Sequence, residues 1–192
     1  MKKKILITRK LLKENEDKLK ELFDVKLNIN DEIYPPDKIL ELSKDCDGIL
    51  SAITDQLNKD LISKLSPSVK IIANYAVGYG NIDINAAKEK NIVVTNTPEV
   101  LDDSTADVSI LLLLGASRKV LEARRAAERQ DWKWSADFML GKQMSNKRLG
   151  ILGMGRIGRA VAKRARGFNM EIHYHNRSQL SKDFEEGAIY HK

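Results

Sequence analysis

The chain has 192 residues, 42% of them hydrophobic and 31% charged, a composition typical of one or two globular domains. Its longest apolar run, Ile110 to Leu114, is far shorter than the roughly 20 residues of a membrane-spanning helix, so we expect no membrane association. Cys46 is the only cysteine, which excludes an internal disulfide and favours a cytoplasmic location. The net charge of +6 comes from residues 101–192, but no zinc-ligand set or nucleic-acid-binding motif accompanies it, so we expect neither a metal nor a nucleic-acid partner.

Short apolar runs alternate with helical patterns over the first hundred residues. The predicted strands are Lys4–Thr8, Val25–Ile29, Ile49–Ala52, Val69–Ala73 and Ile92–Thr95. The predicted helices are Leu11–Phe23, Pro35 to about Leu42, Asn58–Leu65 and Asp83–Lys90. Five strands with interposed helices predict an α/β fold whose parallel sheet is covered on both faces.

A glycine-containing loop, residues 74–83, follows the fourth predicted strand. Gly78 and Gly80 expose backbone N–H groups, and Asp83 is expected to cap the next helix. Such a loop at the carboxyl end of a parallel strand can hold a small carboxylate through its N–H groups. The residues alone leave a second interpretation equally open, namely a connecting loop whose glycines satisfy turn geometry.

A long helix is predicted after Pro98. Asp102, Asp103 and Ser104 suit its amino end, and it is expected to run to about Glu128, apolar at first and basic later. The following loop, residues 131–135, contains two tryptophans. These side chains indicate either an interface or packing against the same chain.

The most informative motif is the glycine turn Gly153-Met154-Gly155-Arg156-Ile157-Gly158. An apolar strand, residues 149–152, leads into it, and a helical pattern and a second strand, Glu171–His175, follow. In this context the three glycines predict a dinucleotide site, with the pyrophosphate at the helix amino end. The alternative is a purely structural turn between strand and helix.

The cofactor preference is predicted at the end of the second strand. A dinucleotide site for NAD usually has a carboxylate about 20 residues past the glycine turn, to bind the ribose 2′-hydroxyl. Asn176 occupies that place, followed by Arg177 and Ser178, which can bind a 2′-phosphate. These three residues favour NADP(H), with NAD(H) as the alternative if Arg177 points into solvent and Asn176 binds the ribose.

Three blocks, in this order, resemble the D-isomer-specific 2-hydroxyacid dehydrogenases. They are Ala76–Asp83, Thr97–Asp107 and Leu149–Gly158, and the glyoxylate and hydroxypyruvate reductases are the most similar branch. The resemblance implies a flavodoxin-like parallel-sheet substrate lobe, residues 1–98, followed by the first βαβ part of a Rossmann cofactor domain, residues 99–192. It also implies NAD(P)H-dependent reduction of a small 2-oxo acid to the 2-hydroxy acid.

The same resemblance implies roles for particular residues. The substrate carboxylate is expected on the backbone N–H groups of Val77 and Gly78, and Thr105 is expected against the cofactor. The family usually forms homodimers through its cofactor lobes, so the tryptophan loop is a candidate dimer contact.

No catalytic residue can be assigned in this chain. The family uses an Arg, a His and an acidic partner that lie beyond the second Rossmann strand, and His173, His175 and His191 match none of them. We therefore expect an N-terminal part of a longer reductase, inactive by itself and lacking the segment that returns to complete the first lobe. The alternative is a non-catalytic nucleotide-sensing or corepressor-like binding module on the same fold.

Overall fold

The computed structural model describes residues 1–130 and 132–192, which form two compact units, Met1–Pro98 and Glu99–Lys192. Asp131, the first residue of the predicted tryptophan loop, lies outside the described residues. Among the helices that are described, none has the length and apolar character needed to cross a membrane.

The first unit contains a five-stranded parallel sheet. Its strands are β1 (Lys4–Ile7), β2 (Asp24–Lys26), β3 (Gly48–Ala52), β4 (Ile71–Tyr75) and β5 (Val93–Thr95). Its helices are α1 (Lys13–Leu22), α2 (Pro36–Ser43), α3 (Lys59–Lys64) and α4 (Ile84–Glu89). The strand order β2-β1-β3-β4-β5 is that of a flavodoxin-like sheet, which confirms the predicted α/β class.

One face of this sheet carries the main core of the unit. Leu6, Ile49 and Ile72 point from three adjacent strands into a buried cluster with side chains of α2, α3 and α4. Asp83 caps α4 as predicted, because its side chain accepts a hydrogen bond from the Ala86 N–H at 2.9 Å. Because β3 and β4 are parallel neighbours, their carboxyl ends lie side by side at the same end of the sheet.

The other face of the sheet is only partly covered. Helix α1 lies there, but it has no fully buried residue, and Leu22 is exposed. Leu19, Leu50 and Ala73 are among the residues that line an apolar groove of about 340 Å³ between α1 and the sheet. Helices therefore lie on both faces of the sheet, as expected, but in the described part of the chain this second face is covered less completely than the first.

The second unit has a three-stranded parallel sheet in the order β6-β7-β8. Its strands are β6 (Arg148–Leu152), β7 (Glu171–His175) and β8 (Ile189–Tyr190). Its helices are α5 (Asp102–Ser117), α6 (Val120–Arg129), α7 (Arg156–Arg166) and α8 (Lys182–Glu185). The strand–turn–helix–strand arrangement of β6, α7 and β7 is the predicted βαβ unit, whereas α8 and β8 were not predicted.

Helices α5 and α7 pack against each other and cover one face of this sheet. Ala162 and Ile172 are buried there beside Tyr174, whose pKa is raised by burial and, to a smaller degree, by its hydrogen bond to Glu185. Arg164 of α7 binds Asp107 and Asp103 of α5 at 2.5 and 3.1 Å. These two ion pairs connect the solvent-exposed sides of the two helices.

The prediction of one helix to about Glu128 is wrong. Helix α5 ends at Ser117 and α6 begins at Val120, because Lys119 adopts a left-handed conformation with φ of 52°. Neither Arg118 nor Lys119, the residues between the two helices, is a glycine or proline, and the nearest glycine, Gly115, lies within α5. The amino end of α5 also differs from the prediction, because Leu101 is the N-cap residue and Asp102 begins the first turn. There the negative charge of Asp102 interacts favourably with the helix dipole.

Candidate functional site

The glycine turn between β6 and α7 has the geometry of a phosphate-binding loop. Gly153 has φ of +97°, a conformation that residues with a side chain rarely adopt. Its N–H donates to the His175 carbonyl at 3.0 Å, which ties the turn to the end of β7. A β-carbon on Gly158 would lie 2.5 Å from the Gly153 carbonyl oxygen, so only glycine lets α7 approach the turn this closely.

The amino end of α7 is open. Gly155 is its N-cap residue, no side chain caps it, and a β-carbon at Gly155 would meet no atom within 4 Å. The first N–H groups of the helix therefore face open space and retain their hydrogen-bonding capacity. Free N–H donors, the helix dipole and the space above Gly155 fit a pyrophosphate group.

The side chains of the glycine turn make contacts within the protein and do not extend into the space above Gly155. Met154 is buried and belongs to the core of the unit. Arg156 binds Asp102 at 3.1 Å and lies 3.6 Å from a carboxylate oxygen of Glu99, whereas Ile157 is half-buried. Any ligand contact by the predicted residues 153–158 is therefore expected chiefly from the backbone.

The residues that follow β7 lie beside the same turn. Asn176 accepts a hydrogen bond from the Met154 N–H through Oδ1 at 2.7 Å. Arg177 and Ser178 are exposed, and within residues 1–130 and 132–192 neither side chain has a hydrogen-bonding or ionic partner. Two exposed side chains that can donate hydrogen bonds, one of them cationic, thus directly follow the residue that contacts the glycine turn.

Thr105 lies on α5 rather than on the turn. It is half-buried, and its carbonyl oxygen accepts from the Ser109 hydroxyl at 2.8 Å. Helix α5 packs against α7 and is also joined to it by the ion pairs of Arg164, so Thr105 lies on a helix in direct contact with α7. Its predicted contact with a cofactor remains a prediction.

The loop after β4 forms the second candidate site, within the first unit. Asn96 donates from Nδ2 to the Val77 carbonyl at 2.7 Å, and Asn74 donates to the Gly78 carbonyl at 2.9 Å. In the described part of the chain the N–H groups of Val77 and Gly78 have no acceptor. With the carbonyls held and the N–H groups free, the loop can accommodate a small anion.

A buried polar network, which was not predicted from the sequence, lies beneath this loop. The amide of Asn74 accepts from Ser51 at 3.1 Å and donates to Asn81 at 3.2 Å, and Asn81 donates to the carbonyl oxygens of Ala52 and Asp55. These bonds connect the loop after β3 to the loop after β4. An asparagine at the carboxyl end of an apolar strand was the available signal, since a buried amide needs partners.

The three histidines form a cluster on the second sheet. His173 Nδ1 lies 2.7 Å from His191 Nε2, the other nitrogen of His173 contacts Glu171, and His175 Nδ1 lies 2.9 Å from the His191 carbonyl oxygen. The two rings of His173 and His191 are tilted against each other. The contacts of these imidazole rings are with one another and with the strands, and at the glycine turn it is the backbone carbonyl of His175 that takes part. Nowhere in the described residues do three or more His, Cys, Asp or Glu side chains gather as metal ligands.

The parallel sheets, together with a glycine turn that has the geometry of a phosphate-binding loop, are typical of dinucleotide-binding α/β proteins. The family model for the catalytic domain of D-isomer specific 2-hydroxyacid dehydrogenases matches residues 5–183. The chain therefore belongs to the D-isomer specific 2-hydroxyacid dehydrogenases, a family of oxidoreductases, which confirms the predicted resemblance.

Curated relatives include two glyoxylate reductases from archaea. The chain is 43% identical to that of Korarchaeum cryptofilum over 189 residues, covering 97% of this chain and 56% of the relative. It is 40% identical to that of Thermococcus litoralis over 196 residues, covering 99% of this chain and 59% of the relative. The chain thus spans less than two thirds of the length of these relatives.

Solved structures show the same fold. A glyoxylate reductase from Paecilomyes thermophila superposes with a TM-score of 0.83 at 35% identity, covering 98% of this chain and 60% of that one. An NADPH-dependent glyoxylate/hydroxypyruvate reductase from Sinorhizobium meliloti, in complex with NADP and malonate, superposes with a TM-score of 0.83 at 29% identity, covering 100% and 57%. Nicotinamide cofactor use is accordingly a property of this family.

Proposed function

We propose that the protein containing this chain reduces a small 2-oxo acid, such as glyoxylate or hydroxypyruvate, with NAD(P)H. The observation that carries the proposal is the glycine turn, whose free N–H groups and open space above Gly155 fit a pyrophosphate. The names of the glyoxylate reductase relatives support the substrate class. In this proposal residues 1–98 form the substrate lobe and residues 99–192 the first part of the cofactor domain.

The substrate carboxylate binds the loop after β4. Val77 and Gly78 supply backbone N–H donors, and the amides of Asn96 and Asn74 hold the two carbonyls that would otherwise swing toward an anion. A carboxylate bound in this way accepts charge-assisted hydrogen bonds without needing a basic side chain.

The cofactor is NADP(H) in preference to NAD(H). Arg177 and Ser178 offer unengaged donors for a 2′-phosphate, and Asn176 replaces the carboxylate that would repel one. The bound nicotinamide supplies the hydride, while the residues of this chain bind and orient the two ligands. Thr105 is proposed to contact the cofactor from α5.

The 192-residue chain by itself is expected not to catalyse reduction of the 2-oxo acid. Reduction of the carbonyl needs an acid that protonates the developing alkoxide and a cation that orients the substrate. His173, His175 and His191 match none of the family's catalytic positions, so no catalytic role is proposed for them. In the tryptophan loop the Trp132 ring stacks on Phe138, and Trp134 is exposed. This loop is proposed to contact the second subunit of a homodimer.

A reductase assay tests the proposal directly. The natural protein that contains this chain is expected to oxidise NADPH in the presence of glyoxylate or hydroxypyruvate, with absorbance at 340 nm as the readout. Nucleotide binding without turnover on any 2-oxo acid would favour a nucleotide-sensing or corepressor-like module instead.

The cofactor preference is tested by Arg177→Asp. This variant is expected to lower kcat/KM with NADPH by about tenfold or more relative to NADH, because it places a carboxylate where the phosphate would bind. Lys163→Asp makes a matched change of charge on an exposed position of α7 and should leave the ratio unchanged. An unchanged ratio in Arg177→Asp contradicts the assignment.

A further inference from the structure

Three successive carbonyl groups in the loop after β4 are held by hydrogen bonds from other parts of the first unit. They belong to Ala76, Val77 and Gly78, and their donors are, in the same order, the Thr97 N–H at 2.9 Å, Asn96 Nδ2 at 2.7 Å and Asn74 Nδ2 at 2.9 Å. Each bond fixes the orientation of one peptide group. Three consecutive peptide groups of the loop are therefore held in place by the protein itself.

These held carbonyls determine where the N–H groups of the loop point. A trans peptide group is planar, with its C=O and N–H bonds on opposite sides, and the described residues contain no cis peptide bond. The N–H groups of Val77, Gly78 and Tyr79 therefore point away from the donors that hold the carbonyls. In the described part of the chain none of the three has an acceptor. The loop thus presents a third free donor, the Tyr79 N–H, next to those of Val77 and Gly78.

The Tyr79 N–H belongs to an open part of the surface. Gly78, Tyr79 and Gly80 are exposed, and a β-carbon on either glycine would meet no atom within 4 Å. The protein therefore leaves room for a small ligand beside this peptide group. A carboxylate has two oxygens with about four lone-pair sites, so a single carboxylate can accept hydrogen bonds from three N–H groups.

The buried side chain of Asn81 is anchored to the turn that follows β3. Its Nδ2 donates to the Ala52 and Asp55 carbonyls at 3.1 and 3.0 Å. A carbonyl oxygen only accepts hydrogen bonds, so this end of the carboxamide must be the nitrogen. The turn is closed on itself, because the Asp55 N–H donates to the Ala52 carbonyl at 3.0 Å and the Ala52 N–H donates to Asp55 Oδ2 at 2.8 Å.

Asn81 connects this turn to the loop after β4 through Asn74. With Nδ2 on the turn, the Oδ1 of Asn81 accepts from Asn74 Nδ2 at 3.2 Å, and the same Nδ2 holds the Gly78 carbonyl. Both asparagines are buried, so a lost hydrogen bond in this chain of contacts leaves a polar group unpaired. The orientation of the peptide group between Gly78 and Tyr79 thus depends on Asn81.

We propose that the Tyr79 N–H is a third donor to the substrate carboxylate and that Asn81 is the positioning residue that orients it. Asn81 acts through Asn74 and does not touch the substrate. The role of the donor rests on the proposed reduction of a 2-oxo acid, whereas the three free N–H groups are a property of the protein alone.

The donor is tested by removing only this N–H from the natural protein that contains the chain. Tyr79→p-hydroxyphenyllactic acid replaces the amide by an ester and keeps the side chain. We expect KM for glyoxylate to rise by about tenfold, with a smaller change in kcat and an unchanged KM for NADPH, because one charge-assisted hydrogen bond is lost. Tyr34→p-hydroxyphenyllactic acid is the control, since the Tyr34 N–H also has no acceptor among the described residues, and it should change none of these constants.

The positioning role of Asn81 is tested by a double-mutant cycle. Asn81→Ala alone should raise KM for glyoxylate by about fivefold or more, but by less than about twofold when the residue 79 ester is already present, because the donor it orients is then gone. Asn85→Ala makes the same change at an exposed position of α4 and should leave KM unaltered. If Asn81→Ala does not fold, Asn81→Ser takes its place in the cycle.

The outcomes are distinguishable. An unchanged KM for glyoxylate in the ester variant overturns the third donor. Equal fold-changes for the Asn81 variant with and without the ester show a general structural effect and overturn the positioning role. A wild-type protein that reduces neither glyoxylate nor hydroxypyruvate contradicts the proposed function, and with it the carboxylate that the third donor is proposed to bind.

Discussion

A β-carbon at Gly158 would lie 2.5 Å from the carbonyl oxygen of Gly153, closer than β-carbons approach other non-bonded atoms in protein structures. The two glycines bring the first turn of α7 against the end of β6. The close approach of this helix to its strand places the N–H groups of the helix end at the turn, where a phosphate can reach them.

Gly158→Ala is therefore expected to destabilise the second unit. The backbone of the turn or the helix must shift, and we expect a loss of about 1–3 kcal/mol in the free energy of unfolding. Urea unfolding followed by circular dichroism measures it. Gly150→Ala in β6 is the control, since its β-carbon meets open space, and a loss of the same size there would contradict the explanation.

Asn96→Ala should weaken the carboxylate loop. The variant removes the hydrogen bond that holds the Val77 carbonyl, so the loop is no longer fixed with its N–H groups presented. In the complete enzyme we expect KM for the 2-oxo acid to rise by about fivefold or more, with a smaller change in kcat. Asn30→Ala, at an exposed position, should leave both constants unchanged, and an unaltered KM in Asn96→Ala would remove the support for this loop as the carboxylate site.

The pair formed by Arg9 and Asp31 predicts a pH-dependent contribution to stability. The Arg9 guanidinium, at 2.8 Å, lowers the pKa of Asp31 from 3.8 to about 2. A lowered pKa in the folded state means that the contribution is fully present above about pH 4 and is lost as the pH falls toward 2. Asp31→Asn should therefore be less stable than the wild type at pH 7, and the difference should shrink below pH 4.

Denaturant titrations at a series of pH values measure this difference. Glu14→Gln replaces an exposed carboxylate of α1 and serves as the control. A difference between Asp31→Asn and the wild type that stays constant from pH 7 to pH 3 would contradict the stated role of the ion pair.

Lys119→Gly should stabilise the second unit. Lys119 has φ of 52° between α5 and α6, and glycine adopts this conformation without steric cost. We expect a gain of about 0.5–1 kcal/mol in the free energy of unfolding. Lys133→Gly, in the neighbouring segment, should give no gain, and a destabilised Lys119→Gly variant would show that the side chain stabilises the break.

The order and type of most elements were predictable because apolar runs and capping residues report local structure. Asp83 was recognised as a cap from its place before a helical pattern. The break at Lys119 was not, since a lysine in a left-handed conformation depends on tertiary contacts rather than on its own preference. Strand β8 has only two residues, too few for a periodic pattern.

For the site, the glycine turn was predictable because its geometry requires glycine at particular positions. The contacts that support it were not. The spacing placed Asn176 where a ribose-binding carboxylate is usually found, but it did not predict that Oδ1 accepts a hydrogen bond from the Met154 N–H, 22 residues away in the chain. Likewise the amides of Asn74 and Asn96 converge on one loop only after β4 and β5 pair.

The most direct test of the nucleotide site is an NADPH titration of the chain and its Gly155→Ala variant by isothermal calorimetry. A β-carbon at Gly155 meets no protein atom, so the variant should fold with unchanged stability, yet it should fill the space assigned to the pyrophosphate. We predict that the wild type binds NADPH and that Gly155→Ala binds it at least about tenfold more weakly. Equal binding by the two proteins, or no binding by the wild type, would contradict the account.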